Sequence, residues 1–271
     1  MNRKYLYPIL IILVTVVLYY GDEYVDKLNS PANKTLSNPE RSGAEFNDTF
    51  LPASTTGEIV KHNFYTLSYS EEHEQAEWVA YELKKSDLSK SEFERPYFIE
   101  DKKVETRSAD WRNYKNSGYD RGHLCPAGDR RMSFEAYNET FLTSNISPQD
   151  HDFNAGIWNR LEQKVRYWAR KYDGVYVVTG GVLKGDLNTI GHENVSVPNK
   201  FYKIVVDFLD ENYKAIAFLI PNKPSPESYF EYAVSIDEIE DATGIDFFPQ
   251  LPDSIENEME QTINLKVWGK K

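Results

Sequence analysis

Between Tyr119 and Arg131 the chain reads YDRGHLCPAGDRR, which sets His123 among Arg121, Arg130 and Arg131. An imidazole titrates near neutral pH and can take a proton from water. A guanidinium can grip a phosphate with two parallel hydrogen bonds, or pair with a carboxylate. Asp120 can orient a neighbour, and Gly122 lets the backbone turn or approach another group closely. Gathered in one segment, these residue types point to an anionic substrate, although the formal net charge is -12. On these residues alone a catalytic site and a buried ion-pair cluster are both open. Cys125 lies just beyond His123 and invites a nucleophile reading; a small buried residue is the plainer one.

A second constellation lies in TSNISPQDHDFNAGIWNRLEQKVR, residues 143–166. Ile157, Leu161, Val165 and Trp168 fall on one stripe at helical spacing, which predicts a helix over roughly 155–171. Asn154 precedes that helix and has two readings, an N-cap or a ligand. Its amide oxygen is a hard ligand suited to Mg²⁺, a cation that keeps most of its waters and takes few protein ligands. Glu162 and Arg166 are four apart and so neighbours on one edge, where an ordinary salt pair is the plain alternative to a functional role.

The elements that must position these groups are legible in part. EWVAYEL (77–83) and VYVVTGGV (175–182) read as strands. FYKIVVDF (201–208) and YKAIAFLI (213–220) flank LDEN and read as a hairpin that Pro221 ends. Ser235 and Glu238 form an S-x-x-E capping box for a helix that stops before Gly244. Strands and helices do not alternate regularly, so an α+β class is expected. With 40% hydrophobic and 14% aromatic residues the chain is globular in type, and its 271 residues suffice for one large domain. The charge is uneven. Asn154 to Lys171 carries Arg160, Lys164, Arg166, Arg170 and Lys171 against Glu162 alone, whereas Pro226 to Glu260 has no Lys or Arg. A basic face can therefore meet a polyanion despite the net charge.

The first residues differ from the rest. Arg3 and Lys4 precede the uncharged apolar run Leu6 to Tyr20. That is the layout of an export signal, and it is short of the roughly 20 apolar residues of a membrane span. LYYGDEY is a poor cleavage site, so a cleaved signal and an uncleaved anchor both stay open. The expectation is a segment over residues 1–26, a polar linker over 27–57 and one domain over 58–271. The protein is then exported: periplasmic, secreted, or held at a membrane by that segment only. One cysteine permits no intrachain disulfide.

The DRGH of Asp120–His123, followed by N-I-S-P-Q…F-N-x-G-x-W-x-x-L-E over Asn145–Glu162, closely resembles the DNA/RNA non-specific endonucleases of the ββα-metal (His-Me finger) class. ERPYFIED (94–101), VPNKFYKIVVD, AIAFLIPN and IEDATGIDFFPQLP extend the resemblance over roughly residues 58–255. DRGH alone is a weak match, but with the second motif at this distance it is specific. The resemblance implies a central, mainly antiparallel sheet flanked by helices. It implies that His123 is the general base, Asn154 the direct protein ligand of Mg²⁺ (Mn²⁺ able to substitute) and Glu162 the acid that holds water on the ion. Arg95 is similar to the arginine that stabilises the transition state, Arg166 to a second site arginine that binds substrate, and Asp120 and Arg121 complete the motif. The implied activity is hydrolysis of phosphodiester bonds in DNA and RNA, leaving 5′-phosphates; homodimerisation is left open. Two other readings stand beside it, a phosphodiesterase acting on another phosphoester and a surface protein that holds nucleic acid without cutting it.

Overall fold

The computed structural model describes residues 50–55, 57–207 and 213–269. The expected segment 1–26 lies outside them, as does the expected linker up to residue 49. Phe50 and Leu51 are buried in the core. Tyr176 donates to the Phe50 carbonyl at 2.9 Å, and the Trp78 indole donates to that of Ala53 at 3.0 Å. Packed residues thus reach upstream of the expected boundary at residue 58.

Alternating apolar residues with β-branched and aromatic character build a seven-stranded sheet. Its strands are β1 (Glu58–Lys61), β2 (Thr66–Ser70), β3 (Gln75–Lys84), β6 (Gly174–Gly181), β9 (Lys200–Asp207), β10 (Lys214–Pro221) and β11 (Ala233–Val234), adjacent in that order. Every pairing within it is antiparallel. The two strands expected as a hairpin pair from Asp207↔Lys214 to Lys200↔Pro221. Between β3 and β6 the chain forms a separate two-stranded sheet of β4 (Asp120–His123) and β5 (Ile146–Gln149), and after β6 it forms the short pair β7 (Thr189–Ile190) and β8 (Val195–Ser196).

The period of two along a strand sends successive side chains to opposite faces, and both faces of the large sheet are covered. Val175 and Val177 pack with Val205, Ile216 and Phe218 against Ile157, Leu161, Val165 and Trp168 of the predicted helix and Phe153 just ahead of it. Tyr176, Val178, Tyr202, Ile204 and Val206 pack on the other face with Ile236, Ile239, Phe247 and Met259. Double coverage explains why β6 reads as a continuous apolar run and is buried throughout. The capping box residue Ser235 accepts from Glu238 N at 3.1 Å, and the helix Ile236–Thr243 ends at Gly244 in a left-handed conformation, φ 78°. Among the described residues, no helix is long and apolar enough to cross a membrane.

Candidate active site

The two motifs fold as one unit of two strands and a helix. Strand β4 is DRGH itself, paired with β5 from Asp120↔Gln149 to His123↔Ile146. At Gly122 a side chain has no room, because a Cβ there would come within 2.1 Å of the Gln149 amide. Asn145 clamps the chain just after His123: its Oδ1 accepts from Cys125 N at 2.8 Å and its Nδ2 donates to Cys125 O at 3.0 Å. Buried and doubly bonded, this amide fixes where β4 ends and where His123 points.

The helix that follows starts earlier than its apolar stripe suggests. It runs from His151–Phe153 through a wide π-type turn, Asn154–Trp158, into the regular helix Asn159–Lys171. Asp150 caps it, accepting from Phe153 N at 3.0 Å, so the N-cap reading of Asn154 is corrected: Asn154 lies inside the helix with αR torsions. Within the turn Gly156 leaves helical torsions (φ -95°, ψ -109°), and Asn159 N bonds back to Asn154 O. The wide turn has a consequence for spacing. In a straight α-helix residues eight apart sit about 80° away from each other around the axis, at 3.6 residues per turn. One residue absorbed by an i→i+5 turn makes the separation behave like seven, which is about 20° from eclipsed. Asn154 and Glu162 thereby come close to a common face.

Asp120 joins strand to helix. Its Oδ2 accepts from Asn154 Nδ2 at 2.9 Å and lies 3.0 Å from His151 Nδ1. With its nitrogen bound there, the Asn154 amide leaves Oδ1 as its remaining hard, neutral donor. That arrangement fits a small divalent cation.

His123 stands between aromatic walls. Its ring centroid is 4.9 Å from Phe141, edge to face, and 5.6 Å from Phe98. Nε2 is shielded from solvent and has no hydrogen-bond partner. Burial, and secondarily the Arg95 guanidinium, lower its pKa to about 3, so the imidazole is neutral at physiological pH. Arg95 lies over Phe98 and Phe141 at 5.6 and 5.7 Å, and Arg121 lies over Phe98 at 4.8 Å. These two phenylalanines therefore bring Arg95 together with Arg121 and His123 of β4.

Glu162 is enclosed. Burial pushes its carboxyl up to about 7; Lys203 and Arg166 pull it down, while Asp129 adds to the rise. Arg166 does not serve Glu162 as a simple i,i+4 partner. Its Nη1 donates to buried Asp129 at 2.7 Å, and Tyr81 donates to the other oxygen of that carboxylate at 3.0 Å. Lys203 was missing from the sequence reading. It is buried beneath the helix with Nζ 4.7 Å from the Trp158 ring and no hydrogen-bond partner, and burial lowers its pKa. Its signal was a lysine inside the otherwise apolar strand FYKIVVDF. Phe98, Phe141 and Asp129 were also missed as site residues. Arg130 is structural: it is buried, donates to the Phe64 and Glu82 carbonyls and lies 4.8 Å from the Tyr81 ring. Cys125 is buried, and burial pushes its thiol up to about 12, which rules it out as a nucleophile at neutral pH.

A pair of strands presenting histidine, followed by a helix presenting an amide and a carboxylate, defines a class of metal-dependent nuclease fold. A chain in the crystal structure of the EndoG/EndoGI complex superposes with a TM-score of 0.68 at 29% identity, over 73% of this chain and 88% of that one. The DNA/RNA non-specific endonuclease family matches residues 42–254, and the protein belongs to that family. It is 34% identical to the mitochondrial nuclease EXOG of Danio rerio over 86% of this chain and 70% of that protein. It is 34% identical to a nuclease of Nostoc sp. over 76% and 78% of the two chains. Human mitochondrial endonuclease G is 32% identical over 72% of this chain and 70% of its own. The protein is a nuclease, as these matches and the family require.

Proposed function

We propose that the protein is a Mg²⁺-dependent endonuclease that hydrolyses phosphodiester bonds in both DNA and RNA and leaves 5′-phosphate ends. The observation that carries this reading is the junction of the two motifs, where Asp120 of the His123 strand binds the Asn154 amide. Asn154 Oδ1 would be the direct protein ligand of the ion, and Glu162 would be the acid that holds water on it. The cation supplies Lewis-acid neutralisation of charge growing on the phosphate and the 3′-oxygen. A neutral amide ligand leaves most of its charge to act on the substrate.

His123 takes a proton from the water that attacks phosphorus in line. Its low pKa keeps it unprotonated before substrate arrives. Arrival of a phosphate neutralises Arg95, removes that guanidinium's effect on the ring, and raises the basicity of His123 when the base is needed. Arg95 then stabilises negative charge on the pentacovalent phosphorus. Arg121, held over Phe98, contributes a second cation at the phosphate backbone. Arg166 acts from further back through Asp129. Contacts made to phosphates instead of base edges carry no sequence information, so cleavage is sequence-non-specific and binding weakens steeply with salt. The apolar run behind Arg3 and Lys4 directs export, with the domain outside the cytoplasm.

The test is incubation of the protein with supercoiled plasmid and with RNA. Cleavage of both is expected, abolished by EDTA and restored by Mg²⁺ or Mn²⁺. Full activity after thorough chelation would refute the metal role, and intact plasmid and RNA under every condition would refute the nuclease reading.

A further inference from the structure

Beside His123 the surface carries apolar and aromatic side chains that the hydrolytic chemistry does not use. Tyr97 is 91% exposed, Ile99 51% and Trp111 39%. They line, with Arg95 and Arg121, an open cavity of about 620 Å³, within the usual range of roughly 300–1,000 Å³ for small-molecule sites. A second cavity of about 410 Å³ adjoins it, and Trp111 and Arg121 line both. Phe98 shares the first cavity and lies tilted against the His123 ring at 5.6 Å, so the cavity opens next to the general base.

The side chains are exposed, yet their backbone is fixed. Ile99 N donates to Phe141 O at 3.2 Å and Thr143 N donates to Ile99 O at 2.9 Å. Trp111 opens a short 3₁₀ turn capped by Asp110, whose carboxylate accepts from Arg112 N at 2.7 Å and from the Arg112 guanidinium at 2.8 and 2.6 Å. Exposed aromatics on a tethered backbone lose little freedom when a flat ligand stacks on them. Arg121 lies 5.9 Å from the Trp111 ring and Arg95 lines the same cavity, so the aromatic surface is bordered by cations.

Stacking faces bordered by guanidinium groups match one unpaired nucleobase attached to its phosphates. A duplex hides base faces inside its own stack and offers only edges and backbone, whereas a single strand can splay a base onto an aromatic ring. We infer that Tyr97 and Trp111 form a stacking subsite for an unpaired base next to the scissile phosphate, so that the enzyme prefers single-stranded over duplex nucleic acid. This inference rests on the nuclease reading above.

The test uses full-length protein carrying His123→Ala, which binds without cutting. Affinity is measured by fluorescence anisotropy for a short single strand, for its blunt duplex and for an abasic strand of equal length. Trp111→Ala and Tyr97→Ala should each weaken the single strand about ten-fold, a typical loss for one stacked base, and the duplex and abasic strand by less than about two-fold. Trp111→Tyr should restore most of the loss, and the high exposure of Tyr97 makes its removal harmless to folding. Equal weakening of single strand and duplex, or none, would overturn the subsite. Wild-type plasmid cleavage is run in parallel. If wild type cuts plasmid while the variants show no strand discrimination, only the subsite falls. If wild type cuts nothing but Trp111 still selects the single strand, the subsite stands and the nuclease reading falls.

Discussion

Two histidines in this molecule each hold a ring nitrogen out of contact with water, and their surroundings drive them in opposite directions. His62 has a side chain 1% exposed, with Nε2 2.8 Å from Asp101 and Nδ1 3.6 Å from Glu139. Burial alone would lower its pKa, but the bonds and charges of the two carboxylates outweigh burial and raise it. His123 has aromatic rings and a guanidinium for neighbours, and its pKa falls to about 3. The contrast is between a ring held by carboxylates and a ring held by aromatic walls and a guanidinium. Around His62 the ring is faced by carboxylates: Asp101 holds Nε2 and also accepts from Ser144 at 2.6 Å and from Lys103 N at 2.9 Å, while Glu139 lies near Nδ1 beyond hydrogen-bond reach. This network holds the segment after Phe98 against the chain near Glu139 and Ser144. Around His123 no carboxylate offsets burial, and Nε2 has no hydrogen-bond partner.

The largest expected effect follows from that asymmetry. His123→Ala should lower the rate of plasmid cleavage by ~10²–10⁴-fold, the usual worth of a general base. Its stability should change by less than about 1 kcal/mol, because the lost nitrogen had no hydrogen bond to give up. A variant that cuts at the wild-type rate would remove His123 from the mechanism. Asp101→Ala should do the reverse. It strands His62 without its nearest counter-charge, and breaking a buried pair costs about 3 kcal/mol or more. Urea unfolding would register the loss as a lower midpoint with an unchanged slope. A midpoint equal to wild type would mean that the His62 network contributes nothing to folding.

The contrast was only half visible in the sequence. His123, Asn154 and Glu162 could be proposed from the sequence because the chemistry proposed for them calls for those residue types, and the structure carries them on one strand and the helix that follows. Strands β3, β6, β9 and β10 of the large sheet were legible because both faces there demand apolar residues, whereas β1, β2 and β11 were not picked out, β1 being mostly exposed and β11 only two residues long. The small sheet was not, since DRGH is short and polar and its pairing with ISPQ depends on the Asn145 clamp. The π-type turn was hidden because an apolar stripe from Ile157 to Trp168 reports the regular part of the helix and not its entry. The walls of the site, Phe98 and Phe141, lie in segments on either side of β4, and nothing local marks a phenylalanine as a histidine's neighbour. Asp129 and Lys203 were hidden by the same non-locality. The His62 triad joins residues 62, 101 and 139, which no spacing rule connects.

Because the two histidines shift oppositely, pH should separate them. The folded-state pKa of His62 is raised, so its stabilisation is fully present below the unfolded value of 6.5 and is lost as pH rises through the folded value. Asp101 and Glu139 are lowered, which keeps their contribution above their ordinary 3.8 and 4.5 and removes it as pH falls further. The network is therefore strongest between about pH 5 and 6.5. His123 works against it in that range: its unfolded form takes up a proton below 6.5 while the folded form resists until about 3, so stability is lost as pH falls through this window. The difference in Tm between wild type and His62→Gln should be greatest near pH 5.5 and should shrink above 6.5. A difference that grows with pH would contradict the raised pKa of His62.

The smallest expected effect is the most discriminating. Arg95→Gln removes the lesser of the two causes that depress His123 and leaves burial in place. The imidazole pKa, followed by NMR, should rise above about 3 yet stay well short of the ordinary 6.5. Stability should move by no more than about 0.5 kcal/mol, as for other exposed residues. The base thus becomes intrinsically stronger while the phosphate loses a cation, so cleavage should slow despite improved basicity. A rate that falls across the whole pH range together with an upward-shifted His123 titration would assign Arg95 to charge on the phosphate. A rate that rises would mean that the guanidinium acts on His123 alone, and a titration that reaches 6.5 would mean that Arg95, and not the Phe98–Phe141 enclosure, sets the difference between the two histidines.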